Sequence, residues 1–128
     1  MSLTFRWTLI VRAICELALY DIVAMTFGFR GIERRLRRAS GRRRRAEFEP
    51  AICEAVLWAL SFYWKPVQCL QRAVVTARLL RIYCGDGADV VIGYRPTPFF
   101  SHAWVELQGR VINDSTAFQK RLHVLVRL

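Results

Sequence analysis

Three residue types that together perform acyl transfer occur in the second half of the chain: a thiol, an imidazole and a carboxylate. Cys69 comes first, His102 follows thirty-three residues later in PFFSHAWVELQGRVIND, and Asp114 follows after another twelve. A nucleophile, a base that takes its proton and a group that orients the base are the parts of a thiol-dependent site. The sequence therefore predicts Cys69 as nucleophile, His102 as base and Asp114 as orienting acid. The Cys69 sulfur should then lie within about 4 Å of one imidazole nitrogen.

Cys69 has a position that the other cysteines lack. It lies in the first turn of the helix predicted after Pro66, where free backbone N–H groups and the helix dipole favour an anion such as a thiolate. The same N–H groups can stabilise the oxyanion of a tetrahedral intermediate. Cys15 and Cys53 fall among apolar helix residues and are expected in the core, while Cys84 ends a helix. Cys69 is therefore the candidate nucleophile.

The hairpin around Gln108-Gly109 decides where Asp114 points. With a two-residue turn, Leu107 would face Arg110, and Asp114 would project from the opposite face of the sheet to His102. That register would separate the base from its acid.

A three-residue loop gives the other register. With Gly109 in a left-handed bulge, Glu106 faces Arg110 and His102 lies directly opposite Asp114, with Cβ atoms about 5 Å apart. The opposite charges of Glu106 and Arg110 favour this second register, and Gly109 enters the left-handed region freely. We therefore predict a positive φ at Gly109 and a hydrogen bond between His102 and Asp114.

Other roles in the site stay open at this level. Gln68, Tyr63 or Trp64 could complete an oxyanion hole, and Trp104 either shields the histidine–aspartate bond from water or belongs to the core. A metal bound by the three catalytic candidates would lack a fourth ligand. We expect neither a metal nor another cofactor.

The elements that position these residues follow from hydrophobic periodicity. Helical patterns extend to Gly28, over Ile32–Ala39, over Pro50–Tyr63 and after Pro66, and from Ala88 the period changes to two. Four strand-like segments follow: 88–95, 100–107, 110–114 and 121–128, with a loop at 115–120. Helices followed by an antiparallel sheet predict an α+β fold with the helices on one face. The order of nucleophile, base and acid fits papain-like and transglutaminase-like folds.

The positive charge is concentrated in one segment. The chain has 128 residues, is 54% apolar and carries a net charge of +10, which fits one globular domain. Nine of its eighteen arginines lie between Arg30 and Arg45, opposed there only by Glu33. Such a run is most often a solvated face, and the alternatives are an acidic partner, an anionic membrane surface or RNA. An alternative function is therefore a catalytically inactive basic adaptor that binds nucleic acid, a membrane surface or a partner protein.

The cellular compartment is predicted from the character of the N-terminal segment and from the spacing of the cysteines. Arg12, Glu16 and Asp21 interrupt the apolar N-terminal run, which therefore reads as a buried helix and not as a membrane span or signal peptide. The four cysteines show no disulfide or zinc-binding spacing. Both observations predict a cytoplasmic protein.

The motifs CLQR, HAWVE and ND, in this order within CLQRAVVTARLL and ADVVIGYRPTPFFSHAWVELQGRVIND, closely resemble those of the leader peptidases of lasso-peptide biosynthesis. These are transglutaminase-like cysteine proteases, and the resemblance covers about residues 64–128. It implies the same roles for Cys69, His102 and Asp114 and cleavage of a ribosomally made precursor peptide.

The resemblance also implies partners and a domain organisation. A separate leader-recognition protein would present the precursor, and a lasso cyclase would use the released core peptide. Residues 1–49 would be an arginine-rich helical extension packed on a peptidase core at 50–128. Apart from the resemblance, the charge of the segment Arg34–Arg45 would offer a contact for an anionic surface, and for a peptidase no nucleic-acid partner is expected.

Overall fold

The computed structural model describes residues 2–40, 46–85 and 87–128 and has an α+β fold. The elements in chain order are α1 (Leu3–Arg38), a short 3-10 helix (Ala46–Phe48), α2 (Glu49–Phe62), α3 (Cys69–Cys84), β1 (Ala88–Pro96), β2 (Phe99–Leu107), β3 (Arg110–Ile112), α4 (Thr116–Arg121) and β4 (His123–Arg127). The four strands form an antiparallel sheet in the order β3-β2-β1-β4. The predicted fold class is confirmed, and α4 replaces the loop expected at 115–120.

Helix α1 is bent at the glycine predicted to end it. Ser2 caps its start by accepting a hydrogen bond from the Phe5 N–H, and Gly28 has a left-handed φ of 67° inside the helix. The label α1 therefore covers two helical stretches that meet at a kink at Gly28, where the first helix was predicted to end. The predicted anionic contact at Arg34–Arg45 falls partly on residues 41–45, which lie outside the described residues.

The sheet has two covered faces. Helices α1, α2 and α3 pack on one face and bury a single main core, whose larger members include Leu9, Leu17, Leu36, Ile52, Val56, Leu79, Leu80, Val90 and Val105. The short α4 lies against the other face, where Val91, Trp104 and Leu122 form a second cluster with Phe118 at its margin. Because α1 contributes to the main core, it packs as closely as the helices after residue 50; the boundary at residue 49 stays a prediction.

A buried carboxylate ties α1 to α3. Glu16 is only 1% exposed and accepts hydrogen bonds from Arg78 at 2.9 Å, Arg35 at 3.1 Å and Arg12 at 3.2 Å. Burial raises the pKa of Glu16, but the arginine hydrogen bonds and charges outweigh burial and hold that pKa below its usual value. One residue of the arginine-rich segment, Arg35, is thus part of this network.

The cysteines divide into buried and exposed thiols. Cys15 is exposed, so the expectation that it lies in the core is wrong, while Cys53 is half-buried and Cys84 is buried. Burial raises the pKa of both Cys53 and Cys84 to about 11. In the described part of the chain, no helix combines the length and apolarity that a membrane span requires.

Candidate active site

His102 and Asp114 are in direct contact. The His102 Nε2 atom lies 2.6 Å from Asp114 Oδ2, and the side chains are 14% and 11% exposed. The predicted hydrogen bond is therefore present. Because Nε2 faces the carboxylate, Nδ1 is the ring nitrogen left to exchange a proton with another group.

The route by which the fold makes this contact differs from the predicted one. Leu107 faces Arg110 across a two-residue turn, in which Gln108 has a φ of 53° and Gly109 a φ of 78°. Both residues are left-handed, as in a type I′ hairpin, whose twist matches that of the strands. The positive φ at Gly109 is confirmed, but the register that placed Glu106 opposite Arg110 is wrong.

The predicted ion pair across the hairpin is also absent. Arg110 Nη2 lies 3.4 Å from Glu49 at the start of α2. Glu106 is buried, where it accepts hydrogen bonds from Trp104 and Arg127. Burial of Glu106 with partners of its own removes the charge argument that favoured the bulged register.

Asn113 aligns Asp114 with His102, a role that was predicted for Gly109. Strand β3 ends at Ile112, and Asn113 has a left-handed φ of 55°. Its side-chain amide donates to the carbonyl of Cys53 in α2 at 3.2 Å, which holds the residue in place. Asparagine is one of the few side chains that adopts this backbone conformation readily. A turn outside the strand thus redirects Asp114 to His102, which strand alternation alone would not do.

Both oxygens of Asp114 have additional partners. Oδ1 accepts a hydrogen bond from the backbone N–H of Ser115 at 2.8 Å, and Oδ2 accepts one from Arg72 Nη2 at 3.0 Å. Arg72 belongs to α3, whereas His102 contacts the same oxygen from β2. The carboxylate is therefore held by three different segments of the chain.

Aromatic rings surround the imidazole. Phe118 of α4 stacks on His102 with ring centroids 3.9 Å apart, and the ring of Trp104 lies 6.3 Å away on the same strand face. The Trp104 indole N–H donates to Glu106 at 2.8 Å, and its ring lies over Gly93, where a Cβ would be 2.6 Å from it. Trp104 is therefore core on the outer face of the sheet, and Phe118 makes the close contact with His102.

Cys69 is the first residue of α3, as predicted. Gln68 is the N-cap and its carbonyl accepts the first helical hydrogen bond from the Arg72 N–H at 3.0 Å. Cys69 is half-buried and lies near Tyr20 of α1, whose pKa is raised by burial first and then by the charges of Asp21 and Cys69. The described contact from α3 to the histidine–aspartate pair is made by Arg72, and the approach of the Cys69 sulfur to the imidazole stays a prediction.

The open candidates for an oxyanion donor have different surroundings. The Tyr63 hydroxyl donates to Asp21, and burial followed by this hydrogen bond raises the pKa of Tyr63 to about 12. Trp64 is 80% exposed, and Gln68 is exposed with no side-chain hydrogen bond in its capping position. Tyr63 is therefore occupied elsewhere, and Gln68 and Trp64 stay predictions together with the backbone N–H of the first turn.

Cavity volume does not identify the candidate site. A cavity of about 210 Å³ lies between α1 and α2 and is lined by Trp7 and Trp58, away from the catalytic candidates. A cavity of only about 10 Å³ lies between α3 and β2, lined by Arg72 and Asp114. The site is located by its chemistry, at the contact between His102 and Asp114. In the part of the chain that the structure describes, no group of three or more His, Cys, Asp or Glu side chains is arranged to hold a metal ion.

Three residues of this arrangement have roles that the sequence does not predict. Arg72 and Asn113 belong to the CLQR and ND motifs, but nothing in those motifs shows that Arg72 contacts Asp114 or that Asn113 has a left-handed backbone. Phe118 falls in the segment predicted as a loop, where the available signal is Ser115, which caps α4 by accepting from the Ala117 N–H.

Comparison with known proteins agrees with this architecture. The profile of the Transglutaminase-like superfamily matches residues 17–127, from within α1 to the end of β4. The chain therefore belongs to this superfamily.

One curated protein is similar to part of the chain. The chain is 40% identical over 60 residues to the Microcin J25-processing protein McjB of Escherichia coli. The aligned segment spans 47% of this chain and 28% of that relative. No solved structure shows significant similarity to the chain.

Proposed function

We propose that this chain is a cysteine peptidase that removes the leader from a ribosomally made lasso-peptide precursor, with Cys69 as nucleophile, His102 as base and Asp114 as orienting acid. The observation that carries the proposal is the 2.6 Å contact between His102 and Asp114 in a transglutaminase-like chain whose α3 begins at Cys69. The partial match to a microcin-processing protein supports the choice of substrate.

The proposed reaction uses each residue in turn. His102 takes the thiol proton at Nδ1, and the Cys69 sulfur attacks the carbonyl of the bond between leader and core. The imidazolium, stabilised by Asp114, then gives the proton to the leaving amine of the core peptide. Water, activated by the same imidazole, hydrolyses the thioester and releases the leader with a free carboxylate.

The partners follow from the same proposal. A separate recognition protein presents the leader, and a cyclase uses the new amine of the core peptide, all in the cytoplasm. Those arginines of Arg34–Arg45 that face solvent would add an electrostatic attraction to the leader complex. This attraction would mainly raise the rate at which the two associate.

Mass spectrometry tests the activity. The protein is mixed with precursor and recognition protein, and the products are searched for free leader and free core peptide. Cys69→Ala should abolish the release of leader, whereas Cys15→Ala, which removes an exposed thiol on α1, should leave it unchanged. Release of leader by Cys69→Ala would overturn the proposal, and so would its absence with the wild-type protein and a verified precursor complex.

A further inference from the structure

Arg72 lies between the two halves of the proposed site. It is three residues after Cys69, so both are in the first turn of α3. Its Nη2 atom is 3.0 Å from Asp114 Oδ2, the oxygen that is 2.6 Å from His102 Nε2. It is thus the described side chain that joins the nucleophile's helix to the base and its acid.

The environment favours a strong interaction. The Arg72 side chain is 30% exposed and its partner Asp114 only 11%, so water screens the pair less than it screens a surface ion pair. A hydrogen bond between two charged groups is also shorter and stronger than a neutral one. The contact therefore constrains where α3 sits relative to the edge of the sheet.

This constraint is needed because His102 and α3 lie on opposite faces of the sheet. His102 stacks on Phe118 of α4, on the face opposite the main helical layer, whereas α3 packs on the face that carries Ala103 and Val105. Asp114 follows the short edge strand β3, where groups from both faces can reach it. Arg72 approaches from α3 and His102 from β2, so the carboxylate is the point at which both layers meet.

We propose that Arg72 is a positioning residue that holds the start of α3, and with it Cys69, in register with the His102–Asp114 pair. The inference rests on the proposed function for its catalytic meaning. Arg72 acts through Asp114 and does not itself exchange a proton or contact the scissile bond. A displacement of about 1 Å between reacting groups can cost about 100-fold in rate, and we expect a loss of this order in kcat/KM when Arg72 is removed.

The test compares Arg72→Ala, Arg72→Gln and Arg72→Lys with the matched control Arg6→Ala, which removes an exposed ion pair between α1 and α2. Leader release should fall about 100-fold in Arg72→Ala, with most of the loss in kcat, and stay unchanged in the control. Added guanidinium at non-denaturing concentration should restore part of the activity of Arg72→Ala only. Circular dichroism and thermal unfolding report whether each variant is folded, and Arg72→Gln or Arg72→Lys replaces the alanine variant if it does not fold.

A double-mutant cycle separates positioning from a general structural role. In Arg72→Ala combined with Asp114→Asn, the loss should be no larger than in Asp114→Asn alone, because both changes break the same contact. Fully additive losses, or a folded Arg72→Ala with wild-type kcat, would overturn the inference.

A second readout distinguishes failure of this inference from failure of the proposed function. The rate at which iodoacetamide alkylates Cys69, measured by mass spectrometry, depends on the nearby imidazole but on no substrate. If the wild-type protein releases no leader yet Cys69 alkylation slows in Arg72→Ala and recovers with guanidinium, positioning stands and the proposed function falls. If leader release is normal and neither rate depends on Arg72, the proposed function stands and positioning falls.

Discussion

Replacing Asn113 by valine tests how the fold aligns Asp114 with His102. Asn113 has a φ of 55°, a conformation that a β-branched side chain does not adopt without strain. The left-handed backbone costs about 1–2 kcal/mol, and the lost hydrogen bond to the Cys53 carbonyl about 1 kcal/mol, so the free energy of unfolding should fall by about 2–3 kcal/mol. A domain with a typical stability of about 5–15 kcal/mol stays folded after such a loss.

Activity should suffer more than stability. If the introduced valine leaves the left-handed region, the chain after Ile112 continues as an extended strand and turns Asp114 away from His102. We expect kcat/KM for leader release to fall at least about 100-fold. Asn113→Gly keeps the backbone conformation and should cost about 1–2 kcal/mol in stability while activity stays within about threefold of wild type.

Gly109→Val is the matched control in the same hairpin. Gly109 also has a positive φ, of 78°, and nothing lies within 4 Å of the position of an added Cβ. The substitution should lower the free energy of unfolding by about 1–2 kcal/mol and leave leader release nearly unchanged, because Asp114 is not aligned by this turn. Urea unfolding and chromatographic assay of leader release measure both quantities. Normal activity in a folded Asn113→Val, or an equal loss in Gly109→Val, would refute the reasoning.

Three further predictions concern the scaffold. Glu16→Gln should lower the free energy of unfolding by about 3–5 kcal/mol at neutral pH, because buried guanidinium groups lose their partner. The pKa of Glu16 is lowered in the folded state from its ordinary value of 4.5, so Glu16 stabilises the wild-type protein fully above about pH 4.5 and loses this contribution as the pH falls through the folded-state pKa. Urea titrations of both proteins at about pH 7 and about pH 3 check this. A difference in the free energy of unfolding between wild type and variant that does not shrink in acid would contradict it. Iodoacetamide at about pH 8 should leave Cys53 and Cys84 unlabelled in peptide maps, since each pKa is raised to about 11, and rapid labelling of either would show that its pKa is not raised. Gly93→Ala should lower the melting temperature through a loss of about 1–3 kcal/mol, because its Cβ would lie 2.6 Å from the Trp104 ring; an unchanged melting temperature would mean that the ring moves freely.

Much of the fold was predictable from local signals. Period-two patterns located the strands, and Pro66 and the amphipathic pattern after it placed Cys69 at the start of α3. The contact between His102 and Asp114 was predicted from residue chemistry and spacing, and it is present although the assumed register is wrong. The residue types therefore predicted the contact, whereas the strand register assumed for it did not.

The remainder depended on tertiary contacts. The left-handed turn at Asn113 is held by a carbonyl sixty residues earlier in the chain, and Arg72 and Asp114 are separated by 42 residues. Helix α4 has six residues, too short to show a helical period. The buried ion-pair network of Glu16 could not be predicted, because its partners Arg35 and Arg78 belong to segments whose packing the sequence does not show.

Detection of the acyl-enzyme tests the central claim most directly. The protein is mixed with the precursor complex, quenched rapidly in acid and analysed as intact protein and as peptides. The account predicts an adduct with the mass of the leader less one water, attached as a thioester to the peptide that contains Cys69, and predicts none in Cys69→Ala. An adduct on a peptide that contains another cysteine, or leader release by the Cys69→Ala protein, would contradict it.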